Sequence, residues 1–362
     1  MIGRLLPLAT ALAALFQTRS TDMLDIFKDD AFGVVPLTDA VNKLQFVPGR
    51  LGQLGIFTES AVAATSVAIE EKGGVLTLIS PSARGAPGST LDKANRKLRN
   101  LAVPHFEIND AVMAEEVQGV RAWGQENAVE SVQGKVIERL NDHNVAHSAT
   151  QELARVGAYK GIVTYADGST LNLYTAFEVD QHAEIDFDLD NAAPASGALR
   201  KKCAGVVRDI ANALDGVPFF GAHAICGDAF FDDLIAHPEV VESYRGTPMA
   251  EVLRQGYVLT SGQKIFGAFE FGGIVWENYR GTVGGTAYVN TNKCHVAPLG
   301  APGLFRTYYS PADYIETVNT LGQRLYVKQY EMANGKGVHL DSQMNNLEIC
   351  TRPAALIQGK RT

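Results

Sequence analysis

The chain has 362 residues, 46% of them hydrophobic and 20% charged, with a formal net charge of −8. It is long enough to bury a core over two or three modules, and this composition excludes a disordered chain and a broad basic surface for nucleic acid. Cys203, Cys226, Cys294 and Cys350 form no C-x-x-C pair, so they read as reduced buried thiols rather than a zinc or redox site.

Residues 1–22 carry "LLPLATALAALF" after Arg4, the length of a signal-peptide apolar region and too short to span a bilayer. The polar, basic "QTRSTD" that follows lacks a small-residue cleavage pattern, so the segment reads as an extension ahead of Met23. Residues 23–60 mix short apolar runs with Pro36, Pro48 and several glycines, a composition that suits an extended arm. Phe27, Phe32, Phe46 and Phe57 on such an arm need another surface to cover them.

Two strand-like runs, "TSVAIEE" and "VLTLIS", flank Gly73-Gly74 and open a long segment that reaches Phe106. Loops of that length usually have a task. Here the cations Arg84, Lys93, Arg96, Lys97 and Arg99 suggest contact with acidic groups of a neighbouring chain. From Ile108 to Tyr159 the recurrence of Val129, Val132, Val136 and Leu140 predicts a helix of roughly 75 Å if continuous. Its glycines predict a break or bend near Asn141 to Asn144.

"GIVTYADGSTLNLYTAF", Gly161 to Phe177, reads as a β-hairpin turning at Asp167-Gly168 with both central residues at φ > 0. An acidic stretch and three helical patterns follow, "ALRKKCAGVVRDIANAL", "GDAFFDDLIAHP" and "PMAEVLRQG". Residues 265–309 alternate short strands with glycine turns. The C-terminal region holds three strand candidates, the first two joined by Asn334-Gly335. The fold class is α+β, without the regular alternation of a doubly wound sheet.

Chemistry is sparse along this chain. His143 and His147 have metal-pair spacing but Asn144 stands where a zinc protease needs Glu, so they read as solvated. Asp186, Asp188 and Asp190 resemble the start of a calcium loop, yet Asn191 and Gly197 occupy the positions of its Gly and Glu. His223 near Cys226, and Cys294 beside His295, carry little information, because catalytic pairs are neighbours in space. "GAPGST" and "GTVGGTA" are turns. No catalytic, cofactor-binding or metal-binding residue is assigned, which favours a structural role.

The order of features, with "FGVVPLTDAVNKLQFVPGRLGQLGIF", "RKLRNLAVPHFEINDAVMAEEVQGVRAWG", "GIVTYADGSTLNLYT" and "LEICTRPAALI", resembles the tailed-phage major capsid proteins of the phage lambda major capsid protein E family, with the Hong Kong 97 type fold. That resemblance implies an N-terminal arm (23–60), an extended loop (61–106), a peripheral domain with a long spine helix and hairpin (107–199), an axial domain (200–320), and closing strands of the peripheral domain (321–362). It implies a virion shell built of pentamers and hexamers of the chain in the host bacterial cytoplasm. Scaffold, portal and decoration proteins would be partners, packaged double-stranded DNA would touch the shell only weakly, and no membrane or cofactor is implied. Phe27, Phe32 and Phe46 of the arm and Arg84, Lys93, Arg96, Lys97 and Arg99 of the loop would then be inter-subunit contacts. A secreted or periplasmic hydrolase or ligand-binding protein is the rival reading.

Overall fold

The computed structural model describes residues 49–72, 96–118, 132–244, 267–283 and 286–362. A short helix, α1 (Arg50–Leu54), stops at Gly55, whose left-handed φ of 63° suits a residue without a Cβ. Strand β1 (Phe57–Ala61) follows, and β2 (Ser66–Lys72) pairs antiparallel with β3 (Arg96–Ala102).

The expected long helix begins later than its periodicity suggested. Its first residues form strand β4 (His105–Met113), where Phe106, Ile108 and Val112 turn inward while Glu107 and Asn109 face out. A period of two decides for strand over helix there. After the single turn α2 (Ala114–Val117), helix α3 (Val132–Lys160) runs for 29 residues, about 43 Å. It passes through Asn141 to Asn144 without the expected break. Val136, Leu140, His143, Asn144, His147, Gln151, Ala154 and Ala158 keep one buried stripe at three- and four-residue steps throughout.

The hairpin is shorter than expected, with β5 (Ile162–Thr164) and β6 (Thr170–Asn172). Only Gly168 has positive φ, 82°. Tyr165 N–H donates to Ser169 O at 2.9 Å and Gly168 N–H to Tyr165 O at 3.0 Å. This is a three-residue loop with its glycine in the left-handed region, not the two-residue turn read from Asp167-Gly168. The second strand ends because Asn172 caps helix α4 (Leu173–Phe177): its Oδ1 accepts from the N–H groups of Tyr174 and Thr175 at 2.9 and 3.2 Å.

Next come β7 (Ile185–Asp186), α5 (Ala198–Leu214), β8 (Gly221–Cys226), α6 (Asp228–Ala236) and α7 (Pro238–Tyr244). They precede β9 (Ala268–Phe271), β10 (Ile274–Asn278), the small pair β11 (Thr282–Val283) and β12 (Thr286–Ala287), β13 (Lys293–Leu299) and β14 (Phe305–Tyr309). Two helical patterns fall where they were expected; the third, "PMAEVLRQG", lies outside the described residues. The chain closes with β15 (Tyr326–Glu331), β16 (Gly337–Cys350) and β17 (Ile357–Lys360).

Two compact units result. Among the described residues the first holds 106–118, 132–144 and 325–343. Its hairpin of β15 with residues 338–343 of β16 turns at Asn334-Gly335, with Gly335 at φ 65°, and Val112, Val117, Val136, Leu140, Val327 and Leu340 are buried.

The second unit holds 49–72, 96–105, 145–324 and 344–362 among the described residues, and has the larger core. A six-stranded sheet of order β7-β17-β13-β8-β10-β9 places β8 inside. Helix α5 buries Leu199, Cys203, Val206, Ile210 and Leu214, a regular apolar stripe. Trp276 meets Phe187 edge-on and stacks with Phe230 at centroid distances of 5.5 and 5.9 Å. In the same unit β14 pairs parallel with β1 and antiparallel with residues 346–350 of β16. The third closing strand thus parts from the first two, since β17 pairs with β13 and β7.

Candidate assembly interface

Phe27, Phe32, Phe46, Arg84 and Lys93 lie outside the described residues. Arg96 and Lys97 open β3, in register with Lys72 and Glu71 of β2. The side chain of Arg99 is only 11% exposed and is used within the chain. Its guanidinium donates to the carbonyl oxygens of Ala176 (2.7 Å) and Phe177 (2.8 Å) and to Glu178 Oε2 (3.3 Å), and it sits 5.7 Å from the Phe177 ring centroid. A cation at the end of α4 satisfies carbonyls that the helix leaves unpaired. The alternation of β3 that turns Arg99 inward leaves Leu98 67% exposed. Attention to charge alone missed Leu98, although its place between Lys97 and Arg99 was visible.

Gly49 and α1 are held by two buried carboxylates. Glu152 accepts from Leu51 N–H (2.7 Å), Gly52 N–H (3.2 Å) and the Tyr279 hydroxyl (2.7 Å). A Cβ on Gly49 would lie 2.1 Å from Glu152 Cγ and Cδ, so this approach requires glycine. Glu277 accepts from Arg50 Nη2 (3.1 Å) as well as Nε, and from His223 Nε2 at 3.0 Å. Tyr159 donates to the His223 carbonyl at 2.6 Å. Burial pushes the Glu277 carboxyl up, but the hydrogen bonds and charges of His223 and Arg50 outweigh it and hold the group below its ordinary value. Burial raises the Tyr159 and Tyr279 hydroxyls, which stay protonated as donors. This network fixes the position and direction of Gly49.

A second candidate contact lies between β14 and β15, where Ile315, Val318 and Leu321 are 91%, 63% and 66% exposed. Their backbone is ordered locally: Thr317 Oγ1 donates to Ala312 O (2.6 Å) and Thr320 Oγ1 to Thr317 O (2.8 Å). A chain segment so braced presents apolar side chains without much further ordering cost on contact. No sequence pattern marked these residues.

The groups considered for chemistry are used in packing. His143 and His147 are buried, not solvated. In the first unit His143 Nδ1 lies 3.0 Å from Ser342 Oγ and its Nε2 3.4 Å from Asp110, and burial lowers its pKa. Asp186, Asp188 and Asp190 are the outward positions of a stretch whose Phe187 and Leu189 enter the core. All four cysteines are reduced and buried, and burial pushes Cys203 and Cys350 up to about 12, far from a reactive thiolate. Among the described residues no group of three or more His, Cys, Asp or Glu side chains is placed to hold a metal ion. No described helix is long and apolar enough to cross a membrane. The His/Cys and Asp features behind the hydrolase reading are therefore core or surface packing.

Residues 33–361 match the profile of phage major capsid protein E. The chain is 28% identical over 344 residues to the major capsid protein of Pseudomonas phage KPP10, covering 91% of this chain and 97% of that one. It is 26% identical over 361 residues to the major capsid protein of Salmonella phage Felix O1, covering 92% and 98%. Among solved structures, a crystal structure assigned to the capsid protein of an E. coli CFT073 prophage shares the fold, with TM-score 0.55, 12% identity and coverage of 91% and 99%. The chain belongs to the phage major capsid protein E family, with a mixed α+β fold of the Hong Kong 97 type.

Proposed function

We propose that this shell-forming subunit builds an icosahedral phage head from pentamers and hexamers of itself, assembled in the host cytoplasm around double-stranded DNA. The near full-length correspondence with two phage major capsid proteins is the observation that supports this most strongly. Supporting it physically, buried charged side chains hold α1 and β3, which this reading takes as parts of the arm and the loop, while Leu98, Ile315 and Val318 are exposed among the described residues. A shell repeats a heterologous contact until it closes, so such surfaces find their partner in another copy. Residues 23–60 would be the arm and 61–106 the extended loop, with β2 and β3 as its two sides. Helix α3 would be the spine of the peripheral domain, which takes residues 107–199 and much of 321–362. The axial domain, about 200–320, would contain the sheet around β8, which β17 joins.

On this reading the chain has no catalytic task. Contacts with DNA would be weak, since a net charge of −8 gives the phosphates little to hold. Scaffold, portal and decoration proteins would be its further partners. Light scattering coupled to size exclusion on the full chain tests assembly: pentamers, hexamers or larger closed species are expected, and a monomer at every concentration and salt would overturn the reading.

A further inference from the structure

Glu59, Thr307 and Glu348 stand in one row across β1, β14 and β16, each directly opposite the next. Gln151 and Arg155 of α3 reach the same row. Arg155 Nη2 donates to Glu59 Oε1 at 2.7 Å. Gln151 Nε2 donates to the Tyr309 hydroxyl at 2.8 Å and lies 3.4 Å from Glu348 Oε1. Glu348 is buried, accepts from Asn346 Nδ2, and among the described residues has no cation in salt-bridge contact, because Arg155 is turned to Glu59.

The atoms around it are unbalanced. Gln151 Oε1, Asn346 Oδ1 and Thr307 Oγ1 are buried with no hydrogen-bond partner among the described residues. The two amide oxygens can only accept. An ionised Glu348 accepts from both amide nitrogens but leaves both amide oxygens unpaired, whereas a protonated one supplies a donor that can pair one of them. If the Gln151 amide turns over, its oxygen takes the place of Nε2, within reach of both the Tyr309 hydroxyl and a Glu348 hydroxyl.

We propose that Glu348 is a proton-operated latch between the second half of α3 and the β1–β14–β16 layer. With the proton on, Glu348 donates to the Gln151 oxygen and the helix is clamped to the sheet. With the proton off, a carboxylate is buried without a cation and the clamp is weakened.

Burial raises the Glu348 carboxyl to about 7, against the opposing pull of Arg155, Asn346 and Gln151; Glu59 on β1 adds to the rise. Tyr309 on β14 and Tyr165 beyond β5 also face it, and both are raised by burial, so neither ionises in this range. Arg324 faces Glu59 and Tyr309 from the segment before β15. The folded value lies above that of an unfolded glutamate, so the folded state holds the extra proton. The associated stability is complete below the ordinary value near 4.5, is lost as pH rises towards 7, and is flat above that.

Hydrogen exchange of the full chain at about pH 5.5 and about pH 8.5, corrected for intrinsic rates, tests the latch. Amides of residues 148–160 are expected to be about tenfold or more better protected at the lower pH, and Glu348→Gln to show no such step. Equal protection of the unaltered chain at both pH values, or the same step in Glu348→Gln, would overturn the proposal. If that variant does not fold, infrared difference spectra of the unaltered protein decide. A buried protonated carboxyl band that fades near neutral pH is expected, and its absence would refute the latch.

Discussion

Replacing Arg50 by Ala tests whether the buried network around Glu277 holds α1. Arg50 gives two hydrogen bonds to Glu277, which is 2% exposed, and its loss leaves that carboxylate with His223 alone among the described residues. Removing one partner of a buried ion pair costs about 3–5 kcal/mol, mostly through the charge left behind. Arg50 itself is 22% exposed, so water can partly replace it and the lower figure, about 3 kcal/mol, is expected. The sign with pH follows from the depressed Glu277 carboxyl: its contribution is present above the ordinary glutamate value and is lost as pH falls through the folded one. Without Arg50 the effect of burial gains weight, so the acid limb of stability should move to higher pH. Denaturant unfolding of the unassembled chain between acid and neutral pH measures both effects. A loss below about 1 kcal/mol with an unmoved acid limb would refute the reasoning, since it would place the pair among weak surface salt bridges.

Gly49→Ala should destabilise by about 2 kcal/mol in the same unfolding assay, because the new methyl would displace Glu152 from the N–H groups of α1; a neutral result would mean that the helix can shift freely. Charge reversal of Arg96 and Lys97 should weaken association while leaving the subunit folded, and unchanged light scattering at moderate salt would remove these residues from the contact. Ile315→Asp with Val318→Asp should reduce assembly in a sedimentation assay while changing subunit stability by only about 0.5 kcal/mol, as expected at exposed positions. Assembly at the unaltered level would show that this segment stays in solvent.

Short-range signals carried much of the fold. The stripe of α5, the Asn-Gly turn between β15 and β16, and the strands of residues 268–309 follow directly from spacing and turn chemistry. Errors arose where neighbouring signals competed. The helix-like residues after Met113 masked the alternation of β4, and a prominent Asp-Gly pair concealed that Tyr165 and Ser169 close a longer loop. The continuity of α3 through Asn141 to Asn144 depends on burial of polar side chains such as His143 and Gln151, which their identity does not reveal.

The candidate interface was less legible, because exposure and long-range partners decide it. Arg99 looked like an outward cation until α4 placed carbonyls beside it. Glu152 and Glu277 carry no sequence signal of their burial, since each meets a residue about a hundred or more positions away. Ile315 and Val318 carry no pattern that separates an exposed apolar residue from a core one. The overall likeness to capsid proteins, spread over most of the chain, was more informative than any single residue.

Negative-stain electron microscopy of the full chain, sedimented after expression with and without its neighbouring genes, tests shell formation most directly. Closed shells, tubes, or pentamer and hexamer rings are the expected result. Only dispersed monomers under every condition would contradict it.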